Sequence, residues 1–150
     1  MIFYTRELHE GVQDSSGWTR KATIKFHRNI KLYREYFRLI APYLPKSALQ
    51  FATFNFHDAE LIKVRLEKDR LSFILDTAGC FKAFPDRYAY ITFSGVHKLP
   101  KPLPKKNEWW VYDEFHLAGR NKFCFHLMFT ETDIQISADE ISLKFRDDYN

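Results

Sequence analysis

Two short stretches bring together residue types that could do chemistry. The first is His57-Asp58, within Phe54-Asn55-Phe56-His57-Asp58-Ala59-Glu60. A His-Asp doublet can hold a metal for phosphoester hydrolysis when neighbouring helices project further His and Asp ligands. Here the doublet runs straight into an alternating strand pattern. The reading adopted is therefore a turn, with Asp58 accepting backbone N–H groups and His57 packing or hydrogen-bonding beside it. The second is Glu114, His116 and His126. If Trp109 to Ala118 and Lys122 to Thr130 pair as a hairpin, Val111, Phe115, Leu117, Phe123, Phe125, Leu127 and Phe129 turn to the core. The opposite face then gathers Tyr112, Glu114 and His116 against Cys124, His126 and Met128. Two imidazoles and a carboxylate on one face form a donor set for a divalent metal with open positions. The competing reading is an ordinary mixed polar outer face.

Nothing else in the chain assembles a nucleophile. There is no GxSxG elbow, P-loop or GxGxxG fingerprint, and only five glycines. Cys124 lies two residues from His126 with no orienting group in view, so it reads as a small buried apolar residue. No catalytic residue and no cofactor are expected. Two surfaces instead point to binding. Lys21, Lys25, Arg28, Lys31 and Arg38 form a basic ladder on a helix, able to follow a phosphate backbone without reading sequence. In Leu99-Pro-Lys101-Pro-Leu103-Pro-Lys105-Lys106, three alternating prolines favour an extended conformation. Beside it, Trp109 and Trp110 offer aromatic anchors of the kind that concentrate at interface hot spots.

The elements that must position these residues follow from periodicity. Leu61 to Leu66 and Leu71 to Leu75 alternate around Lys68-Asp69, which predicts a hairpin pairing Leu66 with Leu71, Val64 with Phe73 and Ile62 with Leu75. All its apolar residues would then share one buried face. Before it, Tyr4, Leu8 and Val12 predict a short helix over residues 6–13 capped by Thr5. Ala22, Phe26, Ile30, Tyr33, Phe37 and Ile40 predict a long amphipathic helix from an N-cap at Thr19 to about Ala41, stopped by Pro42 and Pro45. After the hairpin come strands at Tyr88 to Ser94, Asp133 to Ser137 and Glu140 to Phe145, besides the two already named. Both halves open on a similar cluster, His57-Asp58-Ala59-Glu60 and Tyr112-Asp113-Glu114. The expectation is a single α+β domain over residues 1–150, with two successive antiparallel meanders and N-terminal helices packed on one face.

Composition agrees. The chain of 150 residues is 45% apolar, with fifteen Phe, enough for a real core. Its net charge of +4 is uneven: residues 19–46 carry eight bases against Glu35 alone, while residues 107–150 carry four bases and nine acids. Two cysteines, Cys80 and Cys124, suggest no disulfide framework, and no apolar run reaches membrane-spanning length. The chain reads as cytoplasmic, with no membrane partner.

Tyr4-Thr5-Arg6-Glu7-Leu8, Tyr43-Leu44-Pro45, Phe56-His57-Asp58-Ala59, Trp110-Val111-Tyr112-Asp113-Glu114 and Phe125-His126-Leu127-Met128-Phe129 together resemble a family of uncharacterised bacterial proteins of the domain-of-unknown-function type. The His-Asp-Ala lead into an antiparallel sheet is also similar to small immunity proteins of polymorphic toxin systems, a likeness confined to residues 54–76. That resemblance implies a protein that binds and neutralises a toxin, with no chemistry of its own. The basic pI of about 9.0 departs from what an inhibitor of nucleases would show. The expected function is thus a protein-interaction module whose surface includes Leu99, Lys101, Leu103, Lys105, Lys106, Trp109 and Trp110. The alternative is a metal-dependent or nucleic-acid-binding protein using the Glu114, His116 and His126 face or the basic helix.

Overall fold

A computed structural model describes residues 2–13, 20–97, 101–119 and 122–149. The first helix, α1 (Arg6–Gln13), is capped as expected: Thr5 Oγ1 accepts the Leu8 N–H at 3.3 Å. The long helix α2 (Arg20–Ile40) ends in a 3-10 turn (Ala41–Tyr43) at Pro42, and α3 (Lys46–Phe51) adds one more short helix. The proposed cap Thr19 lies outside the described residues. On α2, Asn29 and Tyr36 are half-buried and widen the predicted inner stripe along one flank, since at 3.6 residues per turn both fall just beside Ala22 and Ile40.

The strands are β1 (Glu60–Glu67), β2 (Arg70–Asp76), β3 (Tyr88–Ser94), β4 (Trp110–Gly119), β5 (Lys122–Phe129), β6 (Asp133–Ala138) and β7 (Glu140–Arg146). They form two antiparallel sheets, ordered β1-β2-β3-β7 and β4-β5-β6. Each half supplies a three-stranded meander, and the last strand returns to the first sheet, where Ile91 of β3 pairs with Leu143. The sheets pack face to face. Phe73 and Phe93 of the first meet Phe129 and Phe125 of the second at ring separations of 5.9 and 5.4 Å.

In the founding hairpin, Leu66 pairs with Leu71 and Val64 with Phe73, as the alternation predicts. The third pair differs. A bulge between Leu61 and Lys63 places Leu61, not Ile62, opposite Leu75, so Leu61 is fully buried. Leu66, at the far end of the strand, is 40% exposed, so not every apolar residue of the hairpin is buried.

The helices do not cover that hairpin; the second sheet does. The helix α2 lies on the outer face of β4, where Tyr36 and Phe37 reach His116 and Phe115. Meanwhile α3 closes one end of the sandwich by inserting Phe51 among Phe56, Trp110, Phe115 and Phe125. Burying each such ring contributes roughly 1.5–3 kcal/mol, so this aromatic seam is a principal source of stability.

The two clusters that open each half meet at the junction between the sheets. Asp58 N–H donates to the Trp110 carbonyl and Trp110 N–H to the Ala59 carbonyl, each at 2.9 Å. Leu61 N–H donates to the Glu108 carbonyl and Asn107 N–H to the Leu61 carbonyl, each at 2.8 Å. This short crossing fixes the distance between His57 on one half and Tyr112 on the other.

Candidate functional site

Two sites arise from this junction, one on each side of β4. The first is the outer face of the second sheet, roofed by α2 and by residues 2–4. Glu114 pairs with His126 across the β4–β5 ladder, and His116 pairs with Cys124, which sets the two imidazoles diagonally, 4.5 Å apart by ring centroid. That is the face the alternation predicts. Glu114 Oε2 and His116 Nε2 are 2.9 Å apart, and Tyr36 Oη lies 3.2 Å from His116 Nδ1.

Glu114 has a second task that no sequence pattern announces. Its carboxylate accepts the backbone N–H groups of Ile2 (2.9 Å), Phe3 (2.8 Å) and Tyr4 (2.5 Å), with Asn29 Nδ2 donating to the Phe3 carbonyl at 2.7 Å. Burial works to raise the Glu114 pKa, but His116 and the three N–H groups outweigh it and hold the carboxyl below its usual range. Burial, with the neighbouring His116, lowers His126 to about 4. Its Nδ1 is sealed from solvent and has no hydrogen-bond partner.

The second site is a cleft of about 520 Å³ between α2 and the corner formed by residues 54–57 and the start of β4. Apolar side chains floor it: Phe26, Ile30, Phe37, Ala52, Val111 and Phe115. Arg34 and Arg38, one turn apart and both exposed, line it from α2. Asn55, His57, Tyr112 and Asp113 line it from the opposite wall, and Tyr4 and Tyr33 lie between. Its size and mixture of an apolar floor with few polar groups are those of a binding pocket.

The walls are held by local rules. Asn55 Oδ1 accepts the His57 N–H at 3.0 Å, an Asx turn, and Asp58 follows in the left-handed region with φ at +70°. Its carboxylate lies 2.9 Å from His57 Nδ1, so the doublet sits in a turn in which Asn55, in place of Asp58, supplies the side-chain acceptor for a backbone N–H. His57 and Tyr112 rings meet edge to face at 5.5 Å. Tyr33 Oη accepts the Phe115 N–H at 2.7 Å, covering a donor on the edge strand β4. Burial raises the pKa of Asp113 to about 6, against the lowering effect of the 2.9 Å hydrogen bond from Trp110 Nε1. Burial, then the Glu114 charge, raises Tyr4 to about 12.

The predicted interaction surface divides. Trp109 is 41% exposed, but Trp110 is 1% exposed and packs on Phe56, Phe125 and Phe129. Trp110 therefore cannot anchor a partner; a bulge between Trp110 and Tyr112 turns its ring to the core. Lys101, Lys105 and Lys106 are exposed, Leu103 packs against the core, and Leu99 lies outside the described residues. The loop is pinned by buried Glu108, which accepts from Lys105 N–H (2.6 Å), Thr132 Oγ1 (2.9 Å) and Glu131 N–H (3.1 Å). Beside it, Gly79 lies so close to the turn that a Cβ there would fall 2.8 Å from the Asp58 carbonyl oxygen and 3.0 Å from the Trp109 ring. Phe81, two residues further along that segment, is 97% exposed.

Lys21, Lys25, Arg28, Lys31 and Arg38 are all exposed on α2. The ladder is not purely cationic, since Ile24, Leu32 and Leu39 are exposed among them, and Arg38 lines the cleft. Sequence reasoning missed Arg34, Asn55 and Asp113 as cleft residues. The only signal for Arg34 and Arg38 was their spacing of four, which puts both beside the aromatic stripe.

No helix among the described residues is long and apolar enough to cross a membrane. No curated protein matches the chain. Residues 3–138, which include Tyr4, His57, Tyr112, Asp113, Glu114 and His126, match the family described as "Protein of unknown function (DUF4085)", and the chain belongs to that family.

Proposed function

We propose that this protein is a non-enzymatic interaction module that grips a segment of a partner protein in the cleft between α2 and the His57–Tyr112 corner. The observation that carries the reading is the lining of that cleft: an apolar floor with Arg34 and Arg38 along one wall. An apolar or aromatic side chain of the partner fills the floor, and a carboxylate beside it meets the guanidinium groups, which suit carboxylates by their planar fork. Trp109, exposed beside Gly79, and Phe81, exposed two residues beyond that glycine, extend the contact. Lys101, Lys105 and Lys106 add charge that speeds encounter with an acidic face. The loop that carries the last two is already tied down through Glu108, which lowers the entropy lost on binding.

The likeness of His57-Asp58-Ala59 to immunity proteins supports a finer form, in which the partner is a toxin with an acidic surface and the host is bacterial. The two free cysteines, Cys80 and Cys124, suit a reducing cytoplasm.

A random peptide display library selected on the folded protein tests the cleft. Enrichment of sequences pairing an aromatic residue with Asp or Glu is expected, and their binding should weaken at least about tenfold on Arg34→Glu plus Arg38→Glu, the effect of losing one charge-assisted contact. Peptides that bind the double variant equally well, or no enrichment at all, remove the cleft from the argument.

A further inference from the structure

On the outer face of the second sheet, Glu114, His116 and His126 lie outside the lining of the cleft, and their polar groups are more than a roof needs. The Phe3 and Tyr4 N–H groups donate to Glu114 Oε1 and the Ile2 N–H to Oε2. Oε2 also faces His116 Nε2 at 2.9 Å, and Glu114, His116 and His126 bring one ligand atom each within 4.8 Å of one another. Glu114 and His116 are buried and His126 is half-buried. The buried His126 Nδ1 has no hydrogen-bond partner, an unmet acceptor or donor of the kind native structures rarely leave without a use.

We propose that Glu114, His116 and His126 form a metal centre for one divalent cation of zinc type. Two imidazoles and one carboxylate match the preference of that ion for nitrogen and oxygen ligands. Bonds of about 2.0–2.2 Å hold tetrahedral ligands roughly 3.3 Å apart, so Glu114 and His116, now hydrogen-bonded at 2.9 Å, reach ligand spacing by parting a few tenths of an ångström as the proton between them leaves. His126 closes the remainder by side-chain rotation. The surroundings already hold two of the three ligands from behind. Tyr36 Oη stands at His116 Nδ1, where it can accept that N–H and leave Nε2 to the ion, and the N–H groups of residues 2–4 hold the carboxylate in place. Three protein ligands leave a fourth position for a solvent molecule or a donor from a bound ligand. A metal here would also cross-link β4, through Glu114 and His116, to β5, through His126, beneath the segment of residues 2–4 that Glu114 holds. The inference does not depend on the cleft being a partner site.

Zinc alone is the probe. The full chain, stripped with a chelator and dialysed, is titrated with Zn²⁺ against a chromophoric competitor. One equivalent should bind, and His126→Phe, which keeps a ring in the same packing, should weaken binding by more than the roughly 10–100-fold that outer partners of a metal contribute. Unchanged binding in His126→Phe, or no binding by the parent chain, overturns the site. If the variant does not fold, nitrogen NMR of the parent decides instead. The ring nitrogens of His116 and His126 should both shift on adding one equivalent of Zn²⁺, and a spectrum that stays put overturns the site equally.

Discussion

Asp113 shows how one residue's surroundings set its chemistry. Its carboxyl faces the cleft, takes a hydrogen bond from Trp110 Nε1, and has its pKa raised to about 6 by burial. In the unfolded chain it titrates near 3.8. Between those values the folded state keeps a proton that the unfolded state has lost, so this group's contribution to stability falls as pH rises from about 4 to about 6. Asp113→Asn keeps the acceptor for Trp110 and removes the titration. Its thermal midpoint should match the parent below pH 4, exceed it increasingly up to pH 6, and run parallel above. A constant offset across that range would show that the carboxyl is not desolvated. None of this was legible in the sequence. Asp113 read there only as part of a repeated acidic cluster, because the cleft it lines is completed by α2 and residues 54–57, far away along the chain. Glu114 and His126 were legible as neighbours, since a period of two and one hairpin register decide them. The N–H groups of residues 2–4 were not, because backbone donors leave no mark in a residue pattern.

At the scale of elements, strand alternation located all seven strands and the turn at Lys68-Asp69, where Lys68 takes φ of +49°. It misjudged the first hairpin at one place, the bulge that exchanges Ile62 for Leu61, since an inserted residue leaves the apolar run Leu61-Ile62 readable in either phase. The resulting gradient along the hairpin is testable. Phe73 is fully buried against Phe93 and Phe129, whereas Leu66 is 40% exposed. Phe73→Ala should cost about 3–5 kcal/mol in denaturant unfolding. Leu66→Ala should cost on the order of 1 kcal/mol or less, since its side chain is already partly in water. Equal losses in the two variants would contradict the burial gradient. The assignment of Trp110 to the surface failed for a related reason. Two adjacent tryptophans on a strand must point opposite ways, and only the bulge after Trp110 decides which one enters the core.

At the scale of the molecule, periodicity could not say that the strands divide into two sheets. The apolar faces of both meanders look alike in sequence, and either could have been covered by helices. What decided it is the pairing of β3 with β7, a contact between residues about fifty positions apart that no local pattern encodes. The same pairing organises charge. It sets Lys144 and Arg146 of β7 beside Tyr90 and Tyr88 on the open face of the first sheet, with the Arg146 guanidinium 5.2 Å over the Tyr90 ring.

The return of β7 also imposes an order on synthesis. A ribosome makes β1, β2 and β3 and then the whole second meander before it reaches residue 140. Throughout that interval the free edge of β3, with Ile91 and Phe93 along it, has no strand to pair with, and an unpaired edge is a template for other chains. The vulnerable species is therefore a nearly finished nascent chain rather than an early one. A chain stopped at residue 139 should form higher-order aggregates at concentrations where the full chain remains dispersed, and a synthetic peptide of residues 140–149 supplied during refolding should suppress them. Light scattering that is the same with and without the peptide would mean that β3 protects its own edge.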